Sequence, residues 1–280
     1  MPDISVIILT FNSREYIKLC LDSLFNQQYG NIEVIVVDNG SKDGTAGFIR
    51  ENYPQVRLIT NEKNLGVSYA RNQGINIALH KWILTLDCDI VLTDGFIKKI
   101  MEFANNSKDS IGMIQPKILT QNSKEIYSCG IYRSWLSRFY DIGKGLPDSQ
   151  KFTVEGSIFG ACCASALYRR KMLEDLKDGY GYFDERFFFL FEDADLSWRA
   201  QKKGWGCMYY PRIRCFHNGN SSSTDKKTRQ FLSFRNRQLM IFKNQRFFIT
   251  LLMFPLYLVY DLPRFLMLAV KFKCKFPKLG

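Results

Sequence analysis

Through its first 90 residues the chain alternates short, β-branched apolar runs with stretches of helical period. ISVIIL (4–9), IEVIVV (32–37), VRLI (56–59) and WILTL (82–86) read as buried strands. After the first run, Ile17, Cys20, Leu21 and Leu24 recur at helical spacing, with Asn12 or Ser13 available as a cap. DNGSKDGT turns into a helix that runs to about Asn52, and NEKNLGVSYARNQGINIAL reads as a loop and a helix. Such alternation requires right-handed crossovers, so the expected α/β fold has a mostly parallel central sheet with helices on both faces. Ligands of these sheets bind beyond the carboxyl ends of the strands. Four polar segments fall there: residues 10–12, 38–41, 61–66 and 87–89.

The second half is less regular. GSIFGACCASALYRR (156–170) reads as a small-residue strand leading to a helix. In GYFDERFFFLFEDADLSWRAQKKGW (181–205) an aromatic run precedes acids and then a helix, and GCMYYP (206–211) reads as another strand.

Charge separates the tail from the body. Of the net +12, residues 226–280 carry +11, with Asp261 their one acid, and the rest of the chain is nearly neutral. A nucleic-acid-binding domain carries its basic residues on the main folded surface. Here they flank the most apolar part of the chain, so no nucleic-acid partner is expected. Residues 247–260 and 265–270 are mostly apolar, and Asp261 and Pro263 between them are expected to break the run. A spanning helix needs ~20 apolar residues. One or two helices lying in the interface of an anionic membrane fit better. A buried C-terminal hairpin or a dimer surface is the alternative.

The eight cysteines form no CxxC pair, and MPDISVIIL lacks a positive n-region. Reduced, mostly buried thiols in a cytoplasmic protein, peripheral on the inner face of the cell membrane, are therefore expected.

Five places carry chemistry. In an extended Asp87-Cys88-Asp89 segment the two carboxylates project to one side, where they can share a hard cation such as Mg²⁺ or Mn²⁺. Two solvated acids at a strand end would give the same short motif. Glu192-Asp193-Ala194-Asp195 follows FFFLF. Acids suit a first helical turn, but an apolar wall beside a carboxylate also raises its proton affinity, as a general base needs. His217 follows a strand and enters a Gly/Ser/Asn loop, whereas His80 reads as structural. Asp38 ends the second strand, where it can accept hydrogen bonds from a base or ribose or serve the turn. Arg71 lies on a helix from which it can reach a diphosphate. No G-x-G-x-x-G follows the first strand, and neither G-x-x-x-x-G-K-[ST] nor G-x-S-x-G occurs, which disfavours dinucleotide, P-loop and serine-hydrolase readings.

SVIILTFNSREYIKLCLDSLFNQ, IEVIVVDNGSKDGT, NLGVSYARNQGI and ILTLDCDI, in that order, resemble the family 2 glycosyltransferases of GT-A fold. FGACCASALYRR, GYFDERFFFLFEDADLSWRAQKKGW, YYPRIRCFHNGNSSS and SFRNRQLMIFKN resemble a rhamnosyltransferase-like branch of that family. The resemblance covers roughly residues 3–245. It implies a GT-A domain over 1–245, with a nucleotide-binding half (1–90) and an acceptor-side half (91–225), followed by a basic, apolar membrane-associating segment (246–280). It also implies a nucleotide-sugar donor, a Mg²⁺ or Mn²⁺ ion and a glycan or lipid-linked glycan acceptor, in cell-surface polysaccharide synthesis. By position, Thr10, Phe11 and Asp38 would hold the nucleoside, and Asn64 and Arg71 would approach ribose and phosphates. Asp87 and Asp89 would be the D-x-D pair, Asp193 the base, and His217 the third metal ligand. dTDP-rhamnose fits the branch, and UDP-hexoses also fit. A sugar nucleotidyltransferase and a non-catalytic membrane-associated binding module are the competing readings. An early Gly-rich, basic triphosphate loop is missing for the first.

Overall fold

The computed structural model describes residues 4–122, 124–219 and 225–272. Strand and helix alternate as the sequence requires: β1 (Ile4–Thr10), α1 (Ile17–Phe25), β2 (Ile32–Asp38), α2 (Thr45–Asn52), β3 (Arg57–Thr60), α3 (Val67–Ile77) and β4 (Trp82–Asp87). There follow β5 (Ile90–Leu92), α4 (Phe96–Asn106), β6 (Ile111–Thr120), β7 (Ile126–Ser128), β8 (Ile131–Arg133), β9 (Phe139–Asp141) and β10 (Gly156–Ile158). The chain continues with β11 (Ser165–Arg169), α5 (Arg170–Leu176), α6 (Glu192–Lys202), β12 (Gly206–His217), α7 (Lys226–Asn244) and α8 (Phe247–Phe272).

The main sheet runs β10-β12-β6-β11-β4-β1-β2-β3. Its first-half strands β3, β2, β1 and β4 are all parallel. β11 then inserts antiparallel between β4 and β6, and β6 pairs with β12 in parallel, so the second half is mixed. Alternate residues of β1 feed opposite cores. Ile4, Val6 and Ile8 pack with Ile17, Leu21, Leu24, Phe96 and Ile100 of α1 and α4. Ile7 and Leu9 pack with Ala70, Ile75, Met172 and Leu196 of α3, α5 and α6. The sheet is thereby covered on both faces.

Two local expectations are revised. α1 starts at Ile17, after a turn in which the Ser13 carbonyl accepts from Tyr16 and Ile17, and neither Asn12 nor Ser13 caps it by side chain. The 156–170 stretch divides into β10 and β11 before α5 begins.

The larger revision is in the tail. α8 runs unbroken through Pro255 and Pro263 for 26 residues. Its contacts with α7 outweigh the lost backbone donors. Buried Asp261 accepts from Arg237 and Gln238 of α7, Arg264 donates to Ser233, and Phe265 packs on Phe234. A helix of this length spans about 39 Å, against a hydrocarbon core of about 30 Å. Among the described residues α8 alone is long and apolar enough to cross a membrane. The seven cysteines among the described residues are free and buried. Cys274 lies outside them.

Candidate active site

Asp87 closes β4, where its register partner is Leu9; the next residue of β1, Thr10, is level with Asp38 at the end of β2. Asp38 and Asp87 therefore stand on one edge of the sheet, two strands or about 10 Å apart. Beyond Asp87 the chain turns, so Cys88 points into the core and donates to Ser13 Oγ. Asp89 is buried, and His217, the last residue of β12, comes back beside it because β12 pairs with β5.

The His217 Nε2 atom lies 3.6 Å from Asp89 and 4.0 Å from Asp87, and ligand atoms of the three lie within 4.8 Å of one another. Among the described residues neither carboxylate oxygen of Asp89 has a hydrogen-bond partner, nor does His217 Nδ1. A buried, unpartnered carboxylate is costly unless something positive meets it. Two carboxylates and an imidazole form a donor set that suits Mn²⁺ or Mg²⁺. The residues present thus fit a divalent cation. The imidazole is held flat against Tyr127, ring centroids 3.9 Å apart. Burial, then the charge of Asp89, pushes the Asp87 carboxyl up, against the pull of Arg71.

A cavity of about 620 Å³ opens beside this cluster. Arg71, Asp87, His217 and Asp193 all line it. The acids of α6 differ in their partners. Glu192 accepts from Arg71 at 2.7 Å. Asp195 turns into the protein, where Arg199, Lys243 and Asn244 donate to it. Among the described residues Asp193 alone of the three faces the cavity without a cationic partner, accepting from the backbone of Cys163 and Ala194. Burial, then the negative charges of Glu192 and Asp141, raises it to about 7. Cys162 and Cys163 also line the cavity, but burial pushes both thiols up, which leaves them poor nucleophiles.

The turn before α6 is strained. Leu190 and Phe191 both have φ near +70°, unusual for residues with a side chain. The Asn236 amide of α7 donates to the carbonyls of Phe189 and Leu190 at 2.8 Å each and holds that turn. Against it packs Gly66 (φ +88), where a Cβ would sit 2.7 Å from the Phe188 ring.

Thr10, Phe11, Asp38, Asn64 and Asp89 do not line this cavity. Thr10 and Asp38 are buried side by side, and Phe11 is half-buried in the turn after β1. Asp38 accepts from Ser41, and burial raises its carboxyl. Asn39 joins the segments: its backbone donates to Thr10 and its side chain to Asn64. These residues form a neighbouring stretch of the same sheet edge. Arg71, expected at a diphosphate, is engaged with Asp87 and Glu192. Sequence reasoning missed the Tyr127 stack, the Glu192 pairing, the cavity-lining Asp141 and the Asn236 clamp. The acidic run and SFRNRQLMIFKN were visible, but their partners are too distant in the chain to be read from spacing.

Comparison with known proteins agrees with this architecture. A relative from Escherichia coli K12, described as the uncharacterized glycosyltransferase YibD, is 38% identical over 104 residues, covering 36% of this chain and 30% of YibD. The chain thus matches less than a third of that relative's length. An N-acetylglucosaminyl-diphospho-decaprenol L-rhamnosyltransferase from Mycobacterium tuberculosis is 25% identical over 268 residues, covering 86% of this chain and 84% of the relative. Among solved structures, GalNAc-T7 with UDP, GalNAc and Mn²⁺ superposes with a TM-score of 0.59 at 14% identity, over 77% of this chain and 43% of that one. This last likeness establishes a shared GT-A fold. The model of the family "Glycosyl transferase family 2" matches residues 5–177, more than half of the chain, and the protein belongs to that family.

Proposed function

We propose that the protein is an inverting, metal-dependent glycosyltransferase that moves a sugar from a nucleotide-diphosphate donor to a glycan or lipid-linked glycan acceptor. One observation carries the reading: the unpartnered Asp89 carboxylate gathers with Asp87 and His217, and Asp87 and His217 line one cavity together with Asp193. Asp87, Asp89 and His217 would hold the cation, which when bound offsets the charge that develops on the leaving diphosphate.

The chain's own residues do the rest. Asp193, lifted to about 7, takes the proton from the incoming acceptor hydroxyl. A hydroxyl attacking opposite the leaving group inverts the anomeric centre, as in the single displacement of inverting glycosidases. Arg71 holds Asp87 and Glu192, fixing the end of β4 relative to the first turn of α6. The neighbouring edge with Thr10, Phe11, Asp38 and Asn64 would take the nucleoside. The L-rhamnosyltransferase relative supports a rhamnosyl donor, for which dTDP-rhamnose is the first choice to test, and the fold neighbour's UDP makes UDP-hexoses the second.

The tail supports a membrane-facing acceptor. Phe248, Leu252 and Val259 of α8 are each at least 75% exposed, beside a basic α7. We place the protein on the cytoplasmic face of an anionic membrane. The deciding experiment supplies nucleotide sugars with Mn²⁺ and analyses the products. Release of free nucleoside diphosphate with an inverted glycoside supports transfer. Inorganic diphosphate released from a nucleoside triphosphate and a sugar phosphate would make the protein a nucleotidyltransferase instead.

A further inference from the structure

A second hollow, of about 510 Å³, opens between α7, α8 and the Leu190 turn. Lys226, Arg229, Gln230, Ser233 and Arg264 line it with Leu190, and no carboxylate does among the described residues. None of its three cations forms an ion pair with a described acid. Arg264 is oriented by its hydrogen bond to Ser233, and Arg229 lies over the Phe189 ring at 5.8 Å. Leu190, Arg229 and Ser233 belong to both hollows, so this one adjoins the catalytic cavity. Leu190 is three residues from Asp193, a separation of at most about 10 Å.

Two features narrow the ligand. Three unpaired cations around one hollow call for a compact, multiply charged anion. α8 contributes Arg264 to the hollow, and its Leu262, Phe265, Leu266 and Met267, neighbours of Arg264 in the chain, are exposed. An anion bound there is gripped by the helix that carries this apolar surface and adjoins the cavity that Asp193 lines. We propose that this hollow is the acceptor subsite, and that it holds the diphosphate joining the acceptor sugar to a membrane lipid. The proposal rests on the glycosyl-transfer reading and adds to it the acceptor's chemical class and the residues that grip it. The donor's diphosphate belongs at Asp87, Asp89 and His217, so the two diphosphates occupy separate places around the cavity that Asp193 lines. The lipid chain lies along α8, and the sugar reaches over Leu190 to Asp193.

The test uses the full chain and three presentations of negative charge. Binding is measured to phosphatidylcholine vesicles carrying a low fraction of polyprenyl diphosphate, to vesicles with phosphatidylglycerol at matched charge, and to inorganic diphosphate by calorimetry. The wild type should bind the polyprenyl diphosphate vesicles about tenfold more tightly than either alternative. The Arg229→Gln/Arg264→Gln variant should lose that preference. Equal binding to phosphatidylglycerol vesicles, equally tight binding of inorganic diphosphate, or a preference kept by the variant would overturn the proposal. Thermal shifts with UDP and dTDP plus Mn²⁺, run on both proteins, read the donor side separately. A wild type that binds neither nucleotide contradicts the glycosyl-transfer reading, while the vesicle comparison still decides the subsite.

Discussion

The Arg71 guanidinium donates to Glu192 at 2.7 Å and to Asp87 at 3.1 Å, so one buried side chain ties the end of β4 to the first turn of α6. These residues are 16 and 121 positions from Arg71 in the chain. Breaking a buried pair strands the remaining charges. Arg71→Met should therefore lower unfolding stability by about 3 kcal/mol or more, read from urea denaturation. Arg71→Lys keeps the charge but offers no fork to span both acids. It should retain most stability and still slow sugar transfer.

The second prediction concerns pH. Asp193 serves as a base only when ionised, and its carboxyl is raised to about 7 by burial and by Glu192 and Asp141. kcat/KM should rise through about pH 7, level off above it, and fall about tenfold per pH unit below. Asp193→Asn should abolish this limb and nearly all turnover while donor-nucleotide affinity is kept. A full rate in that variant would support the binding-module reading.

The third concerns acid stability. Burial alone would raise Asp184, but hydrogen bonds from Arg186 and Lys243 hold it at about 2. An aspartate whose folded value is depressed stabilises the fold above the unfolded value of about 3.9, and that contribution is lost as pH falls toward 2. Lys243→Met removes one donor from Asp184 and one from Asp195 and loosens the end of α7. It should lower the urea midpoint at pH 6, and the gap from wild type should narrow by pH 3.

The fourth concerns the strained turn. Asn236→Ala leaves the Phe189 and Leu190 carbonyls without their donor, a loss of about 1–3 kcal/mol in buried hydrogen bonding. Because that turn sets where Asp193 points, kcat should fall while donor affinity stays the same. An unchanged kcat with lowered stability would make Asn236 purely structural.

How far the sequence could be read follows from the range of each signal. The apolar runs of β1, β2 and β4 are local, and the sheet rule then places Asp38 and Asp87 at its carboxyl edge without any knowledge of contacts. Asp193 and His217 were likewise visible as polar residues after apolar ones. What spacing does not carry is pairing. Nothing local says that β11 inserts antiparallel between β4 and β6, that Tyr127 stacks on His217, or that Glu192 takes up Arg71. The reading of α8 failed for the same reason: Pro263 and Asp261 look like a break until Arg237 and Gln238 of α7 are seen beside Asp261.

The most direct test of the central claim is calorimetry of UDP and dTDP binding with and without Mn²⁺, on wild type and Asp89→Ala. Mn²⁺ should tighten binding of one nucleotide at least about tenfold in the wild type, a step of about 1.4 kcal/mol, and Asp89→Ala should lose this increment. An affinity indifferent to Mn²⁺, or an increment that survives without the Asp89 carboxylate, would contradict that claim.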